Sequence, residues 1–475
     1  MASPNIAFDN IPASIRKPGK YFEFNTKLAV RTLPGNPQRV VLIGQRLSTG
    51  TIAAGQPVDI FDDGQARLYF GAGSILHLMA RAAISAYPHL QLSAVALDDA
   101  ATGGLAATGT VTVTGVATAP GVVAVNVANG ARAVVAVSIG DKAETVATAL
   151  KAALIQSNDL PVAASTNAAV LTLSAKNKGT LGNAIKIAAT STVAGITLAV
   201  KPMSGGATDP VLAPALTAIF AAGHNIIVTA YADKVSLTAL RNHLDAVISP
   251  LEQRDAFGVY GHAGTLAEAT TLAGTTNYGW ITNAWLRGTS SLPYEIAAGY
   301  AAVAASEEDP ARPLNTLEIK ELNVPDVAQW ASRKEQESAL YNGVTPLEIG
   351  PGNKIQIVRA ITTYTLDPQG VQDVALLDLT TIRTLAYARK AFRERIALRF
   401  PREKLSERTP PKVRSELLDV LYKMEELEIV EMVDAHKDGV LVERDMQDVN
   451  RLNARIPVDV VNGLHVFAGR IDLLL

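Results

Sequence analysis

An interruption constrains this chain more than any other feature. A strand–helix–strand order breaks off at Asp98-Asp99 and resumes only after Gly205-Gly206. Upstream, the run 40–44 (VVLIG) has the unbroken apolar character of a strand buried on both faces. Ser74 then precedes an apolar helical stretch that stops before Pro88, and 92–97 forms the next strand. Downstream, strands at 226–231, 257–260 and 279–285 alternate with helices at 236–248, 266–273 and 294–304, and Pro250 ends the first of these helices. Such alternation predicts an α/β (α+β mixed) fold with a mainly parallel or mixed sheet and covering helices.

Residues 100–205 are different, being rich in Ala, Val, Thr and Gly. Alternating segments at 110–114 and 122–127, a β-rich run at 133–139 and strands at 169–174 and 196–200 surround one helix. That helix is expected to start at Asp141, with Glu144 three residues on as a capping box. The segment reads as an inserted β-rich domain that folds alone and can be excised without loss of assembly. The remaining divisions are an arm at 1–30, core at 31–99 and 206–365, a C-terminal domain at 366–459 and a terminal arm at 460–475. A strand is expected at 355–364, then helices near 377–400 and 411–427.

Both arms read as extended. Pro4, Pro12 and Pro18 prevent a long helix in the first, which spans on the order of 100 Å at about 3.3 Å per residue. Its strand, 20–25, carries Phe22 and Phe24 on one face and Tyr21 on the other. The last arm offers Leu464, Val466, Phe467 and Ile471. Neither strand has a hairpin partner nearby, so each is expected to pair with the sheet edge of another copy, bending at Gly19, Pro34-Gly35 and Gly463.

Signals of catalysis are weak. Gly71-Ala72-Gly73 lacks the third glycine and later acid of a dinucleotide site and reads as a turn, with Ser74 as a helix cap rather than a nucleophile. No two histidines have the helical spacing of a zinc site, and Asp98-Asp99 and Glu307-Glu308-Asp309 read as solvated turns. With no cysteine, disulfides and thiolate metal sites are excluded. No cofactor or metal is expected. A net charge of −2 gives no reason for nucleic-acid binding, and the sequence shows neither a secretory signal nor an apolar run of membrane-helix length.

Charge is concentrated in one region. Arg395, Arg399, Arg408, Lys412 and Arg414 belong to a basic run between 389 and 414, and acidic residues dominate after Ser415. Two readings remain open, a solvated helix face and a surface that meets an acidic partner.

Several stretches, in this order, resemble the Mu-like contractile phage tail sheath proteins. They are FDNIPASIRKPGKYFEF at 8–24, GHNIIVTAYAD at 223–233, DPARPLNTL at 309–317, IVRAITTYTLD at 357–367, the KL of FPREKL at 400–405, VERDMQDVNRLN at 442–453 and VVNGLHVFAGRIDLLL at 460–475. Residues 100–205 carry no such match. The resemblance implies a structural subunit, not an enzyme, that polymerises helically around a tail tube, with baseplate and tail terminator proteins as further partners. It implies assembly in a host bacterial cytoplasm and residence in a virion tail. On that reading the insertion faces outward, and Arg408, Lys412 and Arg414, then Arg395 and Arg399, face the tube. An adhesin-like role for the 100–205 insertion is the alternative, and a cytoplasmic α/β enzyme a third.

Overall fold

Strand β1 (Arg39–Gln45) is the centre of the main sheet, and its six residues after Arg39 are all buried. It was obtained, with the rest of the fold, from a computed structural model that describes residues 16–22, 33–130 and 132–474. After β1 come β2 (Pro57–Ile60), α1 (Asp63–Phe70), α2 (Ile75–Ala86) and β3 (Gln91–Leu97). The inserted segment holds β4 (Thr108–Gly115), β5 (Gly121–Val127), β6 (Ala133–Val137), α3 (Ala143–Gln156), β7 (Val162–Asn167), β8 (Val170–Ala175), β9 (Ile187–Ser191) and β10 (Ile196–Ser204). The main fold then continues with α4 (Ala213–Ile219), β11 (Ile226–Thr229), α5 (Lys234–Ile248), β12 (Phe257–His262), α6 (Leu266–Thr276), β13 (Ile281–Trp285) and α7 (Pro293–Ser306).

The main sheet has the order β13-β12-β11-β1-β3-β2. Its strands run parallel except β2, which pairs antiparallel with β3 at the edge. This is the mixed sheet that the strand–helix alternation predicts. Two glycines of β12 let helices approach opposite faces, because side chains three positions apart in a strand point opposite ways. A Cβ on Gly258 would lie 2.7 Å from Leu240 of α5, and one on Gly261 would lie 2.0 Å from the Pro293 carbonyl of α7. Helix α7 is therefore enclosed by sheet and α2, and its Ala-rich sequence is buried from Tyr294 to Ala305.

The inserted segment forms a four-stranded sheet, β10-β4-β8-β7, and a three-stranded one, β6-β5-β9. Helix α3 packs across both with Val146, Ala147, Leu150 and Leu154 buried. Its neck is an antiparallel bridge between Leu105 and Ala207, with N–H···O distances of 3.0 and 3.1 Å. The expected cap at Asp141 is not formed. The Asp141 carboxylate instead accepts the Ser138 N–H at 2.8 Å, and the helix begins two residues later without a side-chain cap.

The C-terminal third adds α8 (Arg333–Tyr341), the hairpin β14 (Leu347–Gly350) and β15 (Lys354–Ile357), then α9 (Leu379–Arg399), α10 (Thr409–Glu426), α11 (Val433–His436), β16 (Leu441–Arg444) and β17 (Leu452–Arg455). The single strand expected over 355–364 is divided. Its first part pairs with β14, whereas Thr362 bridges to Thr282 and the Thr363 N–H donates to the Ile281 carbonyl at 2.8 Å. Two compact units result. One contains Asn36–Arg389 and Asp459–Leu475, and the other is built on Lys390–Val458.

Candidate assembly surfaces

Part of the basic run of the second unit pairs with its own acidic neighbours. Arg395 is 5% exposed and donates to Glu416 at 3.1 Å and to Asp419. Arg399 also donates to Glu416, at 3.3 Å. Burial opposes the charge on Arg395, but the hydrogen bonds to Asp419 and Glu416 outweigh it and hold its pKa above the ordinary value. Asp419 is likewise pulled below its ordinary value: burial alone would raise it, and the bonds from Arg395 and Lys423 reverse that. The sign change at Ser415 here brings one helix's arginines onto the next helix's carboxylates.

Arg414 turns to backbone. Its Nε donates to the Val440 carbonyl at 2.7 Å and its Nη2 to the Lys437 carbonyl at 2.8 Å, which fixes the approach to β16. Of the five cations singled out as a contact surface, Arg408 and Lys412 are the exposed pair. Lys412 meets Glu403 at 3.3 Å across solvent. Arg395, 5% exposed and closed over by two carboxylates, is less accessible than Arg408 and Lys412.

Strands β16 and β17 form a hairpin with the register Leu441↔Arg455 to Arg444↔Leu452, and among the described residues no third strand joins it. Asp445 builds the turn by accepting the N–H groups of Gln447 (2.8 Å) and Asp448 (2.9 Å) and the Asn453 amide (2.8 Å). The Asp448 N–H, then the Asn453 amide and the Gln447 N–H, lower its pKa to about 2. An isolated two-stranded ribbon is marginal in water, and among the described residues neither outer edge of this one pairs with a further strand. Sequence reasoning quoted 442–453 but missed the hairpin; Asp445, with Asn450 and Asn453 downstream, is the turn signal that marks it.

The C-terminal segment, in the first unit, belongs to no helix or strand from 461 to 474. Leu464, Val466, Phe467 and Ile471 are 80%, 78%, 87% and 98% exposed. At its root Asn315 Nδ2 donates to His465 Nδ1 at 2.9 Å. Near the other end of the chain Phe22 is 89% exposed, and the Tyr21 hydroxyl donates to the Lys17 carbonyl at 2.9 Å. Phe24 lies outside the described residues. No group of three His, Asp or Glu able to hold a metal occurs among the described residues, and no helix among them is long and apolar enough to cross a membrane.

Open strand edges and an exposed apolar tail mark a protein that assembles with other chains. Comparison with known proteins specifies the kind. Residues 205–363 match the phage tail sheath protein central domain, and residues 371–473 match the phage tail sheath C-terminal domain. The chain is 32% identical over 492 aligned positions to the tail sheath protein of the Mu-like prophage FluMu of Haemophilus influenzae, covering 99% of this chain and 100% of that one. It superposes on the sheath tail protein of Desulfitobacterium hafniense with a TM-score of 0.52 at 15% identity, over 94% of this chain and 97% of that one. A similar likeness, TM-score 0.51 at 10% identity over 97% and 98% of the two chains, links it to the contracted sheath complex of an extracellular contractile injection system. The chain belongs to the phage tail sheath family. It is a structural protein of a contractile tail, in a phage or a phage-like particle.

Proposed function

We propose that copies of this chain join head to tail into a helical sheath around a tail tube, between a baseplate and a terminator, and that the sheath shortens to drive the tube through a cell envelope. A head-to-tail contact whose rotation does not close gives a helix. Assembly takes place in the host bacterial cytoplasm, and the chain has no catalytic role. The energy of contraction is held in a metastable lattice behind a kinetic barrier, without nucleotide or other cofactor.

The observation that carries this reading is the exposed, unladdered segment 461–474. Its apolar side chains and unpaired backbone groups lose solvent exposure when added as a strand to an open edge. The β16–β17 hairpin of another copy offers two such edges. The N-terminal strand with Tyr21, Phe22 and Phe24 is the second lent strand. Strands exchanged in this way keep copies linked while their bodies move. Arg408 and Lys412, with Arg414 behind them, face the tube. Exposed ion pairs contribute about 0–1 kcal/mol each, so a repeated set holds the tube and still releases it.

Truncation tests this reading. Chains lacking residues 466–474, or residues 1–25, are expected to remain folded and monomeric by sedimentation. They should form no striated tubes by negative-stain microscopy. Sheaths of normal length from either truncation would rule out strand exchange.

A further inference from the structure

The order of the main sheet has a turning point between β1 and β11. From β1 the chain moves to β3 on one side and afterwards crosses to β11 on the other. In doubly wound sheets the crevice at the carboxyl ends of those two strands receives a ligand, commonly an anion held at the N-terminus of the first crossover helix. Helix α2 has that position, entered through Gly71-Ala72-Gly73-Ser74. A helix start leaves backbone N–H groups without partners inside the helix. Ser74 Oγ satisfies one of them, accepting the His77 N–H at 3.1 Å.

The inserted segment satisfies another. Asn177, between β8 and β9, is 5% exposed, and its Oδ1 accepts the Ile75 N–H at 3.1 Å. Its Nδ2 donates to the Arg46 carbonyl at 2.8 Å and to Asp99 Oδ1 at 3.1 Å. Gln45, the fully buried last residue of β1, donates to the same Asp99 oxygen at 2.6 Å and to the Lys178 carbonyl at 2.7 Å. Lys176 closes the loop before α2 by donating to the Ala72 carbonyl at 2.9 Å and the Asn158 carbonyl at 2.7 Å. A Cβ on Gly73 would lie 2.2 Å from the Leu160 carbonyl, so the glycine loop is shaped to the insertion. Beside it Asp159 pairs with Arg81 at 2.9 Å.

We propose that residues 158–160 and 176–178 of the insertion occupy the ligand crevice of the main sheet as a built-in plug, which caps α2 and couples the insertion to the sheet. The insertion is then not an appendage that swings on its neck, and it moves with the main sheet. Excision would strip the Ile75 N–H and the Gln45 amide of their partners, so removal is expected to destabilise the core rather than leave it unchanged.

The test uses full-length chain and residue-resolved hydrogen exchange. In the parent protein the Ile75 amide is expected to be as protected as the interior of α2. Asn177→Ala removes the side-chain acceptor of the Ile75 N–H, along with the two bonds of Nδ2, and should speed Ile75 exchange at least about tenfold. Lys176→Ala should speed exchange across 71–74 in the same way. Thr114→Ala, on the far Thr114–Thr197 contact inside the insertion, should leave both unchanged. Unaltered Ile75 exchange in Asn177→Ala overturns the proposal. So does equal acceleration by Thr114→Ala, which would make the effect a general loosening of the insertion.

Discussion

Arg359 and Asp378 meet as a two-pronged ion pair, Nε to Oδ1 at 2.9 Å and Nη2 to Oδ2 at 2.8 Å. Two parallel bonds fix the plane of the carboxylate as well as its charge. His465 faces the same carboxylate at 3.5 Å, so the pair also sets where the C-terminal tail departs. Burial first, and then the nearby Arg359, lower the His465 pKa, which leaves the ring neutral at pH 7. Asp378→Ala leaves Arg359 without its acceptor and is expected to cost about 1–3 kcal/mol in urea unfolding. It should also move the first protease cleavage of the native chain toward the root at 459–465. In the parent the first cleavage is expected within 466–474, and the same pattern in Asp378→Ala would show that the pair does not anchor the tail.

Local pattern made much of this architecture legible. The unbroken apolar strand at 40–44, the helix after Ser74 and the alternation from 226 to 304 all reappear, because each depends on residues close in sequence. What was missed depends on partners far away. Asn177 caps a helix 102 residues upstream, and no periodicity marks an asparagine that does so. The basic run showed its sign but not which side would face Glu416 and Asp419. Asp141 had capping-box spacing, yet its carboxylate went to the preceding turn at Ser138. The open hairpin at 441–455 was hidden for another reason: it is short, exposed and mostly polar, so no buried face specifies it.

Arg395 and Lys412 should respond in opposite ways to substitution. Arg395→Ala uncovers two carboxylates in a nearly closed site, and loss of one member of such a cluster typically costs about 3–5 kcal/mol. With Glu416 and Asp419 still partly solvated, roughly 2–4 kcal/mol is expected by chemical denaturation. Lys412→Glu alters an exposed pair and should change stability by less than about 0.5 kcal/mol. Combined with Arg408→Glu, it should reduce pelleting with purified tubes while the melting temperature holds. A large fall in melting temperature for the exposed variant, or a small one for Arg395→Ala, would reverse this division of the basic run.

Acid should weaken the first unit through two histidines. His224 is lowered to about 4 by burial, with Arg39 adding to it, and its Nδ1 has no hydrogen-bond partner among the described residues. His243 is lowered to about 4 by burial, with the Phe220 ring 6.0 Å away. A histidine with a depressed folded pKa takes up its proton more readily when unfolded, so its contribution is present above about 6.5 and falls as pH drops toward 4. At about 1.4 kcal/mol per pKa unit, the two together should cost up to about 6 kcal/mol across that window. His224→Gln, which cannot titrate, should flatten the slope of melting temperature against pH between 6.5 and 4. An unchanged slope would exclude His224 as a source of acid lability.

Glu295 gives the opposite dependence. It is the third residue of α7, 5% exposed, and accepts the Leu292 N–H at 2.7 Å. Burial raises its pKa to about 7, against the smaller lowering effects of that hydrogen bond and of Arg81. A carboxyl whose folded pKa is raised contributes fully below its unfolded value near 4.5, and the contribution is lost as pH rises through 7. Above that point the fold must hold an ionised carboxylate in the layer between α2, α7 and the sheet. Glu295→Gln keeps an oxygen for the Leu292 N–H and removes the ionisation. It is expected to raise stability by about 1–3 kcal/mol at pH 8 and to leave it nearly unchanged at pH 5. Calorimetric melts at both pH values measure the difference. A gain of equal size at the two would mean that packing, not ionisation, limits this position, and a loss at pH 8 would mean that the carboxylate is stabilised by a partner the amide cannot replace.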